Sequence, residues 1–124
     1  MTMISDKTTS TDALVLYGQV FHSRLLLGTA RYPSPGVMRA AVELAQPAML
    51  TASLRRQNLQ AGDATPNNFW AMLSEMKVPM LPNTAGCHSV QEVITTAHMA
   101  REVFGTPWIK LELIGDDYTL QPDT

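Results

Sequence analysis

The sequence predicts an α/β fold in which parallel strands are joined by helical crossovers. Two observations lead to this prediction: apolar runs typical of strands alternate with amphipathic helical patterns, and the connections between them are short. Parallel neighbours need a crossover of about a dozen residues or more, which a helix supplies. A doubly wound sheet and a (β/α)8 barrel both satisfy this order. No G-x-G-x-x-G follows the first strand, which disfavours a dinucleotide-binding doubly wound sheet.

The strands are predicted from short apolar runs bounded by turn residues. The stretch LVLYGQVFHSRLLLGTARY predicts two short strands around a turn, with Leu25 to Leu27 ending at Gly28. Further strands are predicted from Ala48 to Arg56, within VPMLPNTAG, and over WIKLELI at residues 108–114. With the strand that ends at Gly28 taken as the first, these runs give four core strands for the sheet.

Three helices are predicted between these strands. In SPGVMRAAVELAQP, Ser34 is the expected N-cap and Pro35 the first helical residue. The second helix is NNFWAMLSEMK, and the third begins with the S-x-x-E capping pattern of Ser89 and Glu92 and ends at Gly105. One face of the first helix is expected to comprise Val37, Ala41, Leu44 and Ala45. One side of the third is expected to comprise Val90, Val93, Ile94, Ala97, Ala100 and Phe104.

The composition predicts one globular domain and excludes several classes of protein. We expect residues 1–16 to form a polar tail and residues 17–124 the folded unit. The 124 residues are 45% hydrophobic with a net charge of -2, which argues against nucleic-acid binding. No apolar run could cross a membrane or act as a secretory signal, so a cytoplasmic location is expected. The lone Cys87 and the spacing of the three histidines indicate no metal site, and no pattern indicates a cofactor.

The last predicted strand carries a lysine and a glutamate within its apolar run. Side chains alternate along a strand, so Lys110 and Glu112 should share one face, about 6.5–7 Å apart at a rise of about 3.3 Å per residue. The opposite face should comprise Ile109, Leu111 and Leu113. In a barrel the charged face would be the interior, near the carboxyl ends of the strands where active sites are built.

Two interpretations of this pair stay open from the pattern alone. Lys110 and Glu112 could form the solvated face of an edge strand, where charges oppose aggregation. Alternatively, a lysine enclosed by apolar walls supplies a free amine that attacks a carbonyl, and a neighbouring carboxylate moves protons. A generic Schiff-base aldolase barrel would meet the second description as well.

Other polar residues at strand ends are weaker candidates. Asn83 and Thr84 follow the third core strand and could line the active face as substrate-binding residues, although NTAG is also ordinary turn chemistry. Arg55 and Arg56 could approach a phosphate or form a solvated pair. Cys87 is expected to be structural.

Several segments together resemble bacterial thiazole synthase, the enzyme that makes the thiazole phosphate of thiamine. They are, in order, LLLGTARYPSP, TASLRR, LPNTAGCHSVQEV and TAHMAREVFGTPWIKLELIGDDYTLQPD. The resemblance runs from about Tyr17 to Asp123, with a poor match over QNLQAGDATPNN. LPNTAG and IKLELIGDD are specific in combination.

This resemblance implies a (β/α)8 barrel that condenses 1-deoxy-D-xylulose 5-phosphate with dehydroglycine and sulfur. The sulfur arrives as the C-terminal thiocarboxylate of a small ubiquitin-like carrier protein. The family's imine-forming lysine corresponds to Lys110, and its acid/base glutamate to Glu112. The residue alternation and the resemblance therefore single out the same pair.

A full barrel of this type takes about 250 residues, so the chain is expected to be the N-terminal half, ending in the loop after strand four. The phosphate site normally uses loops after strands seven and eight, which leads us to expect little or no turnover from this chain alone. Unpaired strand edges favour self-association, so a homo-oligomer is expected. A non-catalytic half-barrel that binds the sulfur carrier or another half-barrel is the alternative.

Overall fold

The computed structural model describes residues 12–54 and 66–123 of the chain. Within these ranges there are five short strands and three helices, in the order β1 Leu14–Leu16, β2 Gln19–Phe21, β3 Leu26–Gly28, α1 Pro35–Ala45, β4 Met49–Ser53, α2 Pro66–Glu75, β5 Met80–Asn83 and α3 Val90–Phe104. The predicted boundary between tail and folded unit at residue 17 falls inside the first hairpin, since β1 precedes it.

The first two strands form an antiparallel hairpin outside the parallel sheet. Leu14 pairs with Phe21 and Leu16 with Gln19 across a two-residue turn. Both turn residues have positive φ, 47° at Tyr17 and 82° at Gly18, as in the type I′ turns that match the twist of paired strands. The sequence predicted two strands here, and the structure contains three because the turn at Tyr17 divides the first run.

The parallel sheet has the strand order β3-β4-β5. Leu26 pairs with Met49 and Leu50 with Met80, both in parallel register. Helix α1 connects β3 to β4, and α2 precedes β5, so the helices lie between consecutive parallel strands. The predicted α/β class with parallel strands and helical crossovers is confirmed.

Helix α1 begins and ends where the sequence predicted, but it buries a different face. Ser34 accepts a hydrogen bond from the Val37 N–H, and Pro35 is the first helical residue. Met38 and Val42 are buried against the sheet, whereas Leu44 is 89% exposed. The predicted face was wrong because two apolar faces of similar size exist on this helix, and only tertiary packing decides between them.

The capping box at the start of α3 is present in a shifted form. The Ser89 side chain accepts from the Glu92 N–H, and Glu92 Oε2 accepts from the His88 N–H, one residue before the N-cap. Gly105 ends the helix at a φ of 60°. The predicted apolar side is only partly covered, since Ala100 is buried but Val90 and Ile94 are exposed.

Two apolar clusters lie on opposite faces of the parallel sheet. The outer cluster joins the helices to the sheet and comprises Met38, Val42, Leu50, Ala52, Leu73 and Met80. The inner cluster joins the hairpin to the sheet and comprises Phe21, Ala48 and Met49, with Leu14, Leu16, Leu81 and Trp108 against them. The hairpin therefore covers the inner face at the amino ends of the strands.

The predicted last strand over residues 108–114 is wrong as a regular strand. Lys110 forms an isolated bridge, parallel to Asn83 at the end of β5, and not a continuous ladder. Ile114 donates its N–H to Cys87 O at 2.9 Å and bridges Pro122, so the chain then doubles back on itself. The ladder is interrupted because the neighbouring chain turns at residues 84–87, where Cys87 N–H bonds to Thr84 O.

Candidate active site at the carboxyl ends of the strands

A row of polar residues crosses the inner face where the parallel strands end. Ser53 of β4 pairs with Asn83 of β5, and Asn83 in turn bridges Lys110. Partners in a parallel register point to the same side of a sheet, so these three side chains share the inner face. Their position corresponds to the face on which barrel enzymes assemble their active sites.

Lys110 and Glu112 lie side by side at the end of this row. Lys110 Nζ is 3.3 Å from Glu112 Oε1, and the two side chains are 50% and 39% exposed. The shared face predicted from strand alternation is therefore present. An exposed ion pair contributes only about 0–1 kcal/mol to folding. Both groups stay accessible to a ligand in this arrangement.

Asn83 and Thr84, the weaker candidates, are buried beside this pair. Asn83 Oδ1 accepts a hydrogen bond from the Ala85 N–H at 3.1 Å, which stabilises the turn. The Thr84 hydroxyl lies 2.7 Å from both the N and the O of Glu112. Both side chains thus lie next to the candidate pair while bonding to backbone groups.

Residues 108–114 are called the Lys110 segment below. Its opposite face is apolar, as the alternation predicted, but it is only partly covered. Leu111 is 65% exposed. With Val90, Val93, Leu113 and other residues it lines a cavity of about 580 Å³ beside the start of α3.

Near the candidate site, the structure contains a polar pair that was not predicted from the sequence. His88 Nε2 lies 2.5 Å from Asp117 Oδ1, and both side chains are well exposed. His88 follows β5, and Asp117 follows the Lys110 segment, so the pair joins two loops at the same end of the sheet. In the sequence, this contact is indicated only by the positions of the two residues after neighbouring predicted strands. Loops that follow adjacent parallel strands meet at one edge of the sheet.

Two other buried groups near the strand ends bond within the protein. Thr29, just after β3, donates its hydroxyl to Thr51 O at 2.8 Å and is buried. Cys87 is fully buried, with Sγ 3.5 Å from Thr96 Oγ1. Arg55 and Arg56 lie outside the described residues. Within residues 12–54 and 66–123, no group of three or more His, Cys, Asp or Glu side chains could hold a metal ion.

None of the helices in the described ranges has both the length and the apolar character needed to span a membrane.

Comparison with known proteins identifies relatives of the chain. The family model "Thiazole biosynthesis protein ThiG" matches residues 15–124. The thiazole synthase of Paracidovorax citrulli is 73% identical over 117 residues, which cover 94% of this chain and 43% of that protein. The thiazole synthase of Variovorax paradoxus is 74% identical over 114 residues, covering 91% of this chain and 42% of the relative. The thiazole synthase of Neisseria meningitidis serogroup C is 64% identical over 110 residues, with coverages of 89% and 42%.

The match extends over nearly the whole chain, which spans less than half the length of these relatives. It includes the strands and helices of the parallel sheet as well as the Lys110 and Glu112 segment. The chain belongs to the thiazole biosynthesis protein ThiG family, of whose (β/α)8 barrel it represents the N-terminal half.

Proposed function

We propose that this chain carries the imine-forming centre of a thiazole synthase. The reaction would build the thiazole phosphate of thiamine from 1-deoxy-D-xylulose 5-phosphate, dehydroglycine and sulfur. The observation that carries the proposal is the Lys110–Glu112 pair, with nitrogen and oxygen 3.3 Å apart on the polar inner face. The family assignment supports it, because the relatives are named thiazole synthases.

Lys110 would act as the nucleophile. Its Nζ, as the free amine, would attack the ketone carbon of the sugar phosphate, and the carbinolamine would lose water to leave a C=N bond. The half-exposed side chain can be reached by a small substrate from the open carboxyl end.

Glu112 would move protons during the steps that follow. An imine withdraws electrons from the neighbouring carbon, so a carboxylate placed beside it can remove a proton there and return it elsewhere. Only an oxygen that stays within reach of the lysine-bound carbon can do this. The contact between Glu112 Oε1 and Lys110 Nζ meets that requirement.

Other residues and partners complete the proposal. Asn83 and Thr84 would border the substrate, because they lie directly beside the pair. Sulfur would come from the C-terminal thiocarboxylate of a ubiquitin-like carrier protein that approaches the same open end. The reaction would take place in the cytoplasm.

Borohydride trapping tests the proposal directly. The chain is incubated with 1-deoxy-D-xylulose 5-phosphate and borohydride, and its peptides are mapped by mass spectrometry. We expect a reduced adduct on Lys110, and no adduct at that peptide in the Lys110→Arg variant, whose guanidinium does not form an imine. An unlabelled Lys110 at saturating substrate would contradict the proposal for this chain.

A second candidate function is supported by the exposure at this site. Lys110 is half solvated and paired with Glu112, and Leu111 beside it is 65% exposed. A non-catalytic half-barrel that binds the sulfur carrier, or a second copy of itself, would use this open surface. Capture of the carrier protein, or a concentration-dependent dimer, in a chain that forms no imine would favour this candidate.

A further inference from the structure

The hydrogen-bond ladder between β5 and the Lys110 segment is interrupted at Thr84. Lys110 N–H donates to Pro82 O at 2.8 Å, and Thr84 N–H donates to Lys110 O at 3.2 Å, as in a regular parallel pair. The next regular bond would run from Glu112 N–H to Thr84 O. Thr84 O instead accepts from Cys87 N–H at 3.2 Å, because the chain turns at Gly86, whose φ is 89°. The Glu112 peptide therefore loses its normal partner.

The Thr84 side chain takes the place of that partner. Its hydroxyl accepts from the Glu112 N–H at 2.7 Å and donates to Glu112 O at 2.7 Å. Thr84 is 0% exposed, so water cannot replace these bonds. A backbone bond between the two segments is present again two residues later, where Ile114 N–H donates to Cys87 O at 2.9 Å. A single hydroxyl thus holds both polar backbone groups of Glu112.

We propose that Thr84 is a positioning residue that holds the Glu112 carboxylate beside Lys110 through the Glu112 peptide. The proposal rests on the acid/base role proposed above for Glu112. The carboxylate is 39% exposed and makes its 3.3 Å contact with a half-exposed lysine, so the side chain itself is weakly held. The direction in which it leaves the backbone depends on the orientation of the peptide that Thr84 fixes.

Serine and alanine at position 84 form a matched pair of variants. Both remove the methyl group, and they differ only in the hydroxyl. Valine gives a second comparison, because it keeps the volume of threonine and removes the hydroxyl. If the hydroxyl positions Glu112, serine should behave as threonine does, and alanine and valine should both fail.

Two measurements made without substrate test whether the Thr84 hydroxyl fixes the Glu112 peptide and its carboxylate. Amide hydrogen exchange at Glu112 should be faster by a factor of about 5–10 in Thr84→Ala than in Thr84→Ser, which corresponds to a hydrogen bond of about 1–1.4 kcal/mol. The amides of Lys110 and Ile114 serve as internal references and should keep their protection. A carbodiimide should join the Lys110 amine to the Glu112 carboxylate, with loss of water, less often in Thr84→Ala than in Thr84→Ser.

A third measurement tests the consequence for catalysis. In deuterated water with the sugar phosphate, proton removal beside the imine exchanges a substrate C–H for deuterium. Borohydride trapping measures the fraction of Lys110 that carries the imine in each variant, and the exchange rate is compared at equal imine. On that basis we expect exchange in Thr84→Ala to be about tenfold slower than in Thr84→Ser, which corresponds to about 1.4 kcal/mol in the proton-transfer step. Thr84→Ser should restore the exchange.

Equal results for alanine and serine in amide exchange and cross-linking would overturn the proposal. So would uniform loss of protection at Lys110, Glu112 and Ile114 in both hydroxyl-free variants, because Thr84 would then be a general folding contact. If no imine is trapped in any variant, the function proposed for Lys110 fails, while the substrate-free measurements still decide the role of Thr84.

Discussion

The amino and carboxyl ends of the inner sheet face differ in their side chains, which are apolar at the first and polar at the second. At the amino ends of the strands, the hairpin buries Phe21 against Met49 and the Trp108 ring, with ring centroids of Phe21 and Trp108 6.1 Å apart. At the carboxyl ends, Asn83, Lys110 and Glu112 form a polar surface that is partly open. Stability therefore resides at one end and the chemical groups at the other. Substitutions at the two ends should separate folding from reactivity.

The largest effect is expected for Phe21→Ala at the amino end. Phe21 is 5% exposed and anchors the hairpin on the sheet, so its loss leaves a cavity and should lower the free energy of unfolding by about 3–5 kcal/mol. Urea unfolding followed by tryptophan fluorescence measures this. Val20→Ala is the matched control, because Val20 is next to Phe21 but exposed, and should change stability by less than about 0.5 kcal/mol. Equal losses in both variants would mean that the hairpin does not pack as described.

A smaller effect is expected for Ser89→Ala at the start of α3. The Ser89 side chain caps the helix by accepting from the Glu92 N–H at 3.2 Å, so its loss should cost about 0.5–2 kcal/mol. Thermal unfolding checks this value. Ser74→Ala provides the control, since Ser74 is exposed near the end of α2 and should give no loss. A neutral Ser89→Ala variant would argue against the cap.

A still smaller effect is expected for Asp117→Asn. The variant removes the charge of the carboxylate that contacts His88, which should cost about 0.2–1 kcal/mol, and any ionic part of that cost should become smaller as salt screens it. Unfolding at low and high salt measures both quantities. Asp123→Asn is a control at the same end of the sheet, for an exposed carboxylate that has no ion pair among the described residues. A loss that does not depend on salt would point to hydrogen bonding in place of charge.

The smallest effect on stability is expected for Lys110→Met at the carboxyl end. Its ion pair is half exposed, so stability should change by less than about 1 kcal/mol, since exposed pairs contribute little. Urea unfolding should give overlapping curves for the variant and the parent chain, whereas imine trapping at position 110 should vanish. A large loss of stability would show that Lys110 is a folding residue and would weaken the contrast between the two ends.

Local signals predicted much of this fold from the sequence. Ser34, Ser89 and Gly105 act as helix caps because capping depends on residues within one turn. The shared face of Lys110 and Glu112 was predictable because alternation needs only an extended chain.

Features that depend on distant contacts were not predictable. Met38 rather than Leu44 is buried on α1 because the sheet packs on one of two similar faces. The last strand is interrupted because a turn in the neighbouring segment presents the Thr84 hydroxyl where backbone would otherwise pair. The His88–Asp117 contact joins residues 29 positions apart, so no local sequence pattern indicates it.

The most direct test of the central claim compares two lysines of the same chain. Lys110 lies at the carboxyl end of the sheet, and Lys77 lies at the amino end, exposed just before β5. With 1-deoxy-D-xylulose 5-phosphate and borohydride, we expect an adduct on Lys110 that saturates with substrate, and only trace, non-saturating labelling of Lys77. Equal labelling of the two lysines, or labelling of neither, would contradict the claim that the carboxyl end holds the reactive centre.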